Sequence, residues 1–125
     1  MRYFDVFNGD ADGICALVQL RLATSRDARL VTGVKRDIQL LQQVAPEAED
    51  EVTVLDISLQ KNAVDLERIL AKGAHVFYAD HHQAGDIPVH PNLNAYIDLS
   101  PTTCTSLIID NFLQGQFHRW AITAA

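Results

Sequence analysis

The chain has 125 residues, 48% of them apolar and 21% charged, with 16 acidic against 10 basic side chains and a net charge of −6. These proportions are those of an ordinary globular domain, large enough for a core of its own. They exclude a disordered tail, a collagen-like repeat and a coiled coil. The acid excess argues against a groove that tracks long single-stranded nucleic acid, but an acidic site still takes phosphate when metal ions invert the local field.

No apolar run reaches the roughly 18 residues of a membrane span. Met1-Arg2-Tyr3-Phe4-Asp5-Val6-Phe7 carries an acid within its apolar stretch and lacks a small-residue cleavage site, so it does not read as a signal peptide. Cys15 and Cys104 lie far apart and read as core thiols of a reduced, cytoplasmic protein.

In chain order, residues 2–7 predict a strand and Asn8-Gly9-Asp10-Ala11-Asp12-Gly13 a loop. Ile14, Leu17, Val18 and Leu22 recur at helical spacing and predict an amphipathic helix over 14–23. A short strand over 29–33 follows, then a helix over 38–44. Pro46 and the acidic run 47–51 make a solvated turn. Val52-Thr53-Val54-Leu55-Asp56 is a nearly continuous apolar run ending in an acid, which suits a strand buried on both faces. A helix over 62–71 has Ala63, Leu66, Ile69 and Leu70 as its stripe, and Gly73 suits its end. A second buried strand, 74–79, runs directly into Asp80-His81-His82. A polar loop, a strand over 94–97, a helix over 103–113 capped by Thr102 or Thr103, and a helical stretch over 117–125 complete the chain. Strands alternating with helices predict an α/β fold, with a parallel sheet between helices on both faces in a three-layer α/β/α arrangement.

In such a sheet, ligands bind beyond the carboxyl ends of the strands. Three of those ends carry acids or histidines: Asp10 and Asp12 after the first strand, Asp56 after the third, and Asp80-His81-His82 after the fourth. Taken singly, Asp-x-Asp-Gly reads as an Asx-type turn and Asp56 as a helix cap. Together, three or four carboxylates on one half-buried edge repel each other, and a divalent cation resolves the repulsion. Mixed carboxylate and imidazole donors suit manganese, iron or zinc better than calcium. Two such ions bridged by a shared carboxylate are a standard device for hydrolysing phosphate esters.

Phe7-Asn8-Gly9-Asp10-Ala11-Asp12-Gly13-Ile14, Val54-Leu55-Asp56-Ile57-Ser58 and Ala79-Asp80-His81-His82 resemble, in order and spacing, the first three motifs of the DHH phosphoesterase superfamily. That superfamily includes RecJ-type exonucleases, oligoribonucleases, cyclic-dinucleotide phosphodiesterases and manganese-dependent pyrophosphatases. The resemblance runs from residue 4 to about residue 110. It implies a DHH-type catalytic domain and a metal-dependent hydrolase of phosphoric ester bonds. A metal-activated water would attack a nucleotide, a short oligonucleotide or a small phosphate compound.

Carried over by position, the resemblance makes Asp10, Asp12, Asp56 and His81 ligands of a two-manganese site, with magnesium, iron or zinc as alternatives. Asp56 bridges the ions and acts with His82 in catalysis, while His82 faces the substrate phosphate. Asn8, Asp80 and Asp98 stand around the ligands, Asp80 holding a ligand imidazole in the right tautomer. Lys35 and Arg36, after the second strand, are expected to bind substrate. The run 98–106 caps the next helix or supplies hydroxyls to the site. Cys104 opens that helix, where a thiol pKa is lowered.

Two departures from the family pattern stand out. Asn8 and Val6 occupy positions where many members carry a His or Asp ligand, and a neutral amide oxygen is a weaker donor to a transition metal. The family also has a further ligand Asp after the last helix and a second, substrate-closing domain. The expectation is therefore that 1–125 is a shortened catalytic domain that lacks both. These departures motivate the alternative of a catalytically inactive relative that binds nucleotides or a partner.

Overall fold

The computed structural model describes residues 1–33 and 39–124. Five strands, β1 (Tyr3–Asn8), β2 (Ala28–Gly33), β3 (Glu51–Leu55), β4 (His75–Asp80) and β5 (Leu93–Ile97), form one sheet in the order β2-β1-β3-β4-β5. Every neighbouring pair is parallel, with Val6 opposite both Val31 and Val54, and Val54 opposite Tyr78. Among the described residues four helices accompany the sheet: α1 (Ala11–Ala23), α2 (Ala63–Ala71), α3 (Thr105–Phe112) and α4 (His118–Ala124). Short 3₁₀ turns lie at Leu40–Gln43 and Gln60–Asn62.

Side chains alternate across a strand, so each inner strand feeds two cores. Val6, Val52, Val54, Val76 and Tyr78 pack with Leu41, Leu66, Ile69 and Leu70 on the face of α2 and the 3₁₀ turn at Leu40–Gln43. Phe7, Leu55 and Ala79 pack with Ala16, Leu17, Leu20 and Ile109 under α1 and α3. Helix α4 lies against α1 and α3. This is the three-layer α/β/α arrangement. No helix among the described residues is long and apolar enough to cross a membrane.

The first helix starts three residues earlier than the sequence predicts. Asp10 caps it, its Oδ1 accepting from Gly13 N at 3.0 Å, so Asp12 sits in the first helical turn. Its buried residues include Ala16, Leu17 and Leu20, while Ile14 and Leu22 of the predicted stripe are exposed. The expected helix over 38–44 is a 3₁₀ turn at Leu40–Gln43, with Ile38 outside the described residues. Val44 leaves it in extended backbone on the way to Ala45-Pro46, where the residue before a proline disfavours helix. Neither Thr102 nor Thr103 caps α3. Its N-cap residue is Cys104, and Asp12 supplies the acceptors: Oδ2 takes Thr105 N at 3.1 Å and Oδ1 takes Ser106 N at 2.7 Å.

The chain crosses from β2, on one side of β1, to β3 on the other. That reversal of strand order opens a crevice at the carboxyl ends of β1 and β3, the position where open α/β sheets take their ligands.

Candidate metal centre

A cleft of about 530 Å³ lies over that crevice. Asn8, Asp10 and Asp12 line it from the β1–α1 junction, Asp56, Ile57 and Ser58 from the end of β3, and His81, His82 and Gln83 from the end of β4. Leu40, Gln60 and Lys61, from the two 3₁₀ turns, complete the lining. Parallel strands of matched register place these carboxyl ends side by side, which is how residues 70 positions apart meet.

The β1–α1 junction is tight. A Cβ added to Gly13 would lie 2.1 Å from the backbone oxygen of Asn8, so only glycine fits beneath the turn that presents Asp10 and Asp12. Asp56 takes left-handed backbone, φ 64°, a region in which Asp and Asn are the better tolerated non-glycine residues. Its N–H donates to Ala79 O at 3.0 Å, and Thr105 Oγ1 donates to Asp56 Oδ1 at 3.0 Å. Tyr78, fully buried, donates its hydroxyl to Ile57 O at 2.6 Å and pins the residue after Asp56.

His81 stands between two of the acids. Its Nε2 is 3.2 Å from Asp56 Oδ1 and 3.4 Å from Asp12 Oδ2. The His82 ring lies beside it, 4.4 Å between centroids, with Nδ1 2.6 Å from Asp80 Oδ1. Asp80 thus holds His82, the imidazole expected at the substrate, and not the expected ligand His81. The cause is reach. Asp80 is the last residue of β4 and fully buried, and its carboxylate meets the ring two positions on.

The electrostatics follow from burial. The Asp56 carboxyl is pushed up to about 9, first by burial, then by the charges of Asp12 and Asp10 and a hydrogen bond shared with Asp10; the Thr105 hydroxyl pulls it back. The hydrogen bond that Asp80 accepts from the ring raises His82 above the usual imidazole value. Burial opposes this, and the charges of Asp80, Asp12 and Asp10 add to it. Cys104 shows the reverse of the shift expected at a helix start. Burial and the neighbouring Asp12 carboxylate raise its thiol more than the α3 amides lower it.

Asp56, Asp80, His81 and His82 each place one ligand atom within 4.8 Å of the others, a group that can hold a metal ion. Two buried oxygens at the site, Asn8 Oδ1 and Asp80 Oδ2, have no hydrogen-bond partner among the described residues. Orphaned oxygens and a carboxyl that stays protonated for want of a counter-charge fit a cation. Asp80, placed around the ligands by the resemblance, is therefore a member of that group, while Asp10 and Asp12 line the same cleft outside it.

Asp98 is a loop acid. It is exposed, its Oδ1 accepts from Ser100 N at 2.9 Å, and it borders a separate depression beside α3. Lys35 and Arg36 lie outside the described residues. Two neighbours of the site were not singled out from sequence. Thr105 belongs to a hydroxyl-rich run that carried a signal, whereas Lys61 carried none. The chain matches no protein-family model and no curated protein sequence.

Proposed function

We propose that the protein is a metal-dependent phosphoesterase of DHH type that hydrolyses a phosphodiester or phosphate bond in a nucleotide-type or small phosphate substrate. The observation that carries this reading is the convergence of Asp10, Asp12, Asp56 and Asp80 with His81 and His82 at the switch point of one parallel sheet. Asp56 and His81, with Asp80 on one side and Asp10 and Asp12 on the other, are the residues that would hold two manganese ions. Bound there, such ions supply an acidified water and a counter-charge to the phosphoryl oxygens.

The chain's own groups do the rest. Thr105 and the left-handed backbone fix the Asp56 carboxylate in the cleft. Asp80 holds His82 through Nδ1, which leaves Nε2–H as the ring's remaining donor. A charged His82 then binds a phosphate oxygen and returns a proton to the leaving oxygen. Leu40 and Ile57 give the cleft a dry wall against the substrate body.

The test is manganese-dependent release of nucleotide or phosphate, compared between wild type and Asp56→Ala. Full activity in the variant would sink the assignment. Two observations favour the silent binding relative instead: both oxygens of Asp12 accept α3 amides, and Asn8 stands where many members of the family carry a His or Asp ligand. Calorimetric titration with manganese separates the two, since absence of binding supports the silent module.

A further inference from the structure

We propose that Lys61 anchors the substrate's phosphate charge at the mouth of the cleft and so selects anionic, nucleotide-type ligands over uncharged nucleosides. The inference rests on the phosphoesterase reading and adds a binding residue to it.

Charge balance is the first argument. Asp10, Asp12, Asp56 and Asp80 bring up to four negative charges to the site, two divalent ions would cancel them, and a charged His82 meets only one of the two charges that a phosphate monoester brings. A phosphate ester entering that site still carries its own charge. Among the described residues of the cleft, Lys61 is the only lysine or arginine. Four other basic side chains are engaged in ion pairs, Arg2 with Asp50, Arg21 with Asp5, Arg26 with Glu51 and Arg68 with Asp65, and Arg29, Lys72 and Arg119 do not line the cleft. Lys61 is exposed and forms no ion pair among the described residues, although it borders the acid-rich site.

The second argument is its mount. Ser58 Oγ accepts from Lys61 N at 3.3 Å and lies 3.4 Å from Gln83 O, to which it donates. The next residue, Asn62, is buried. Its Nδ2 donates to Ser58 O at 2.9 Å and its Oδ1 accepts from Leu41 N at 3.2 Å. The Gln60 side chain lies against Gly85. The backbone under Lys61 is thus tied on one side to the segment after the two histidines and on the other to the Leu40–Gln43 turn. A fixed base under an unpaired ammonium is an arrangement for meeting an anion that arrives from solution.

Binding of adenosine 5′-monophosphate and of adenosine, measured calorimetrically with manganese present, tests this. Wild type is expected to bind the monophosphate more tightly than adenosine. Lys61→Ala is expected to weaken the monophosphate about tenfold, the scale of one charge-assisted hydrogen bond. It should leave adenosine and manganese affinity unchanged. Lys61→Arg should keep most of the affinity, and Lys61→Glu should lose more than alanine does. Wild-type monophosphate affinity in Lys61→Ala and Lys61→Glu, or a wild type that binds the two ligands equally, overturns the proposal. If monophosphate affinity depends on Lys61 but wild type hydrolyses nothing, the phosphoesterase reading fails and the anion anchor stands. If hydrolysis proceeds and affinity ignores Lys61, the anchor alone fails.

Discussion

Asp80 Oδ1 lies 2.6 Å from His82 Nδ1, and that contact decides the charge of the imidazole that borders the cleft. Asp80 is fully buried, so its carboxylate has few other ways to satisfy itself. In the metal-free protein His82 is expected to titrate above the ordinary value of about 6.5. Asp80→Asn should bring it down, as followed by the ring proton resonances against pH. The linkage has a definite sign. A folded-state pKa above the unfolded one stabilises fully below about pH 6.5 and loses that contribution as pH rises through the folded value. Urea midpoints measured across this range should show the slope in wild type and a flatter line in Asp80→Asn.

Asp56 combines strain and charge in one residue. Its left-handed backbone costs roughly 1 kcal/mol or more, and its carboxyl is pushed up to about 9. An acid held protonated in the fold binds more protons than it does unfolded. The metal-free protein should therefore lose stability as pH rises from about 4 to about 9, by roughly 2–4 kcal/mol near neutrality. Asn tolerates the same backbone and carries no charge. Asp56→Asn is expected to unfold at higher denaturant than metal-free wild type at pH 8, and manganese should no longer raise its midpoint. A variant less stable than wild type at pH 8 would show that the carboxyl is not repelled.

The sheet was legible because two of its strands are buried on both faces and read as apolar runs at 52–55 and 74–79. The acids were legible as a group because parallel strands put their carboxyl ends on one edge. The start of α1 was not, because Asn8-Gly9-Asp10-Ala11-Asp12-Gly13 has the composition of a turn while its Asp10 and Gly13 serve as helix cap and close contact. The division of labour within Asp80-His81-His82 was hidden as well. Which imidazole meets Asp80 depends on side-chain direction at the strand end, and adjacent histidines carry no signal for it. Thr105 meets Asp56 across 49 positions, and Lys61 reaches the cleft only because a 3₁₀ turn docks against the segment after β4. Both are tertiary facts that no local pattern encodes.

Tyr78 joins the core to the site. Its hydroxyl donates to Ile57 O at 2.6 Å from a fully buried ring. Tyr78→Phe keeps the ring and leaves a buried carbonyl unpaired, which costs about 1–3 kcal/mol. Because Ile57 follows Asp56 directly, the same variant should weaken manganese binding. Chemical denaturation and calorimetry measure the two effects. Loss of stability without loss of metal affinity would show that Asp56 is held by Thr105 and its own backbone alone.

Asp12 has two claims on it. Its oxygens accept Thr105 N at 3.1 Å and Ser106 N at 2.7 Å, and His81 Nε2 lies 3.4 Å from Oδ2. Asp12→Ala removes the acceptors of α3, and a lost cap costs about 1 kcal/mol. Hydrogen exchange at Thr105 and Ser106 should quicken with it. An ionised carboxylate offers about four lone-pair sites, so one amide on each oxygen leaves room for a cation. Manganese is therefore expected to leave the protection of these two amides intact or to raise it, as the metal and α3 share one fixed carboxylate. A fall in protection at Thr105 and Ser106 on loading would mean that the ion pulls Asp12 away from the helix. Metal binding and the seating of α3 would then compete for the same two oxygens.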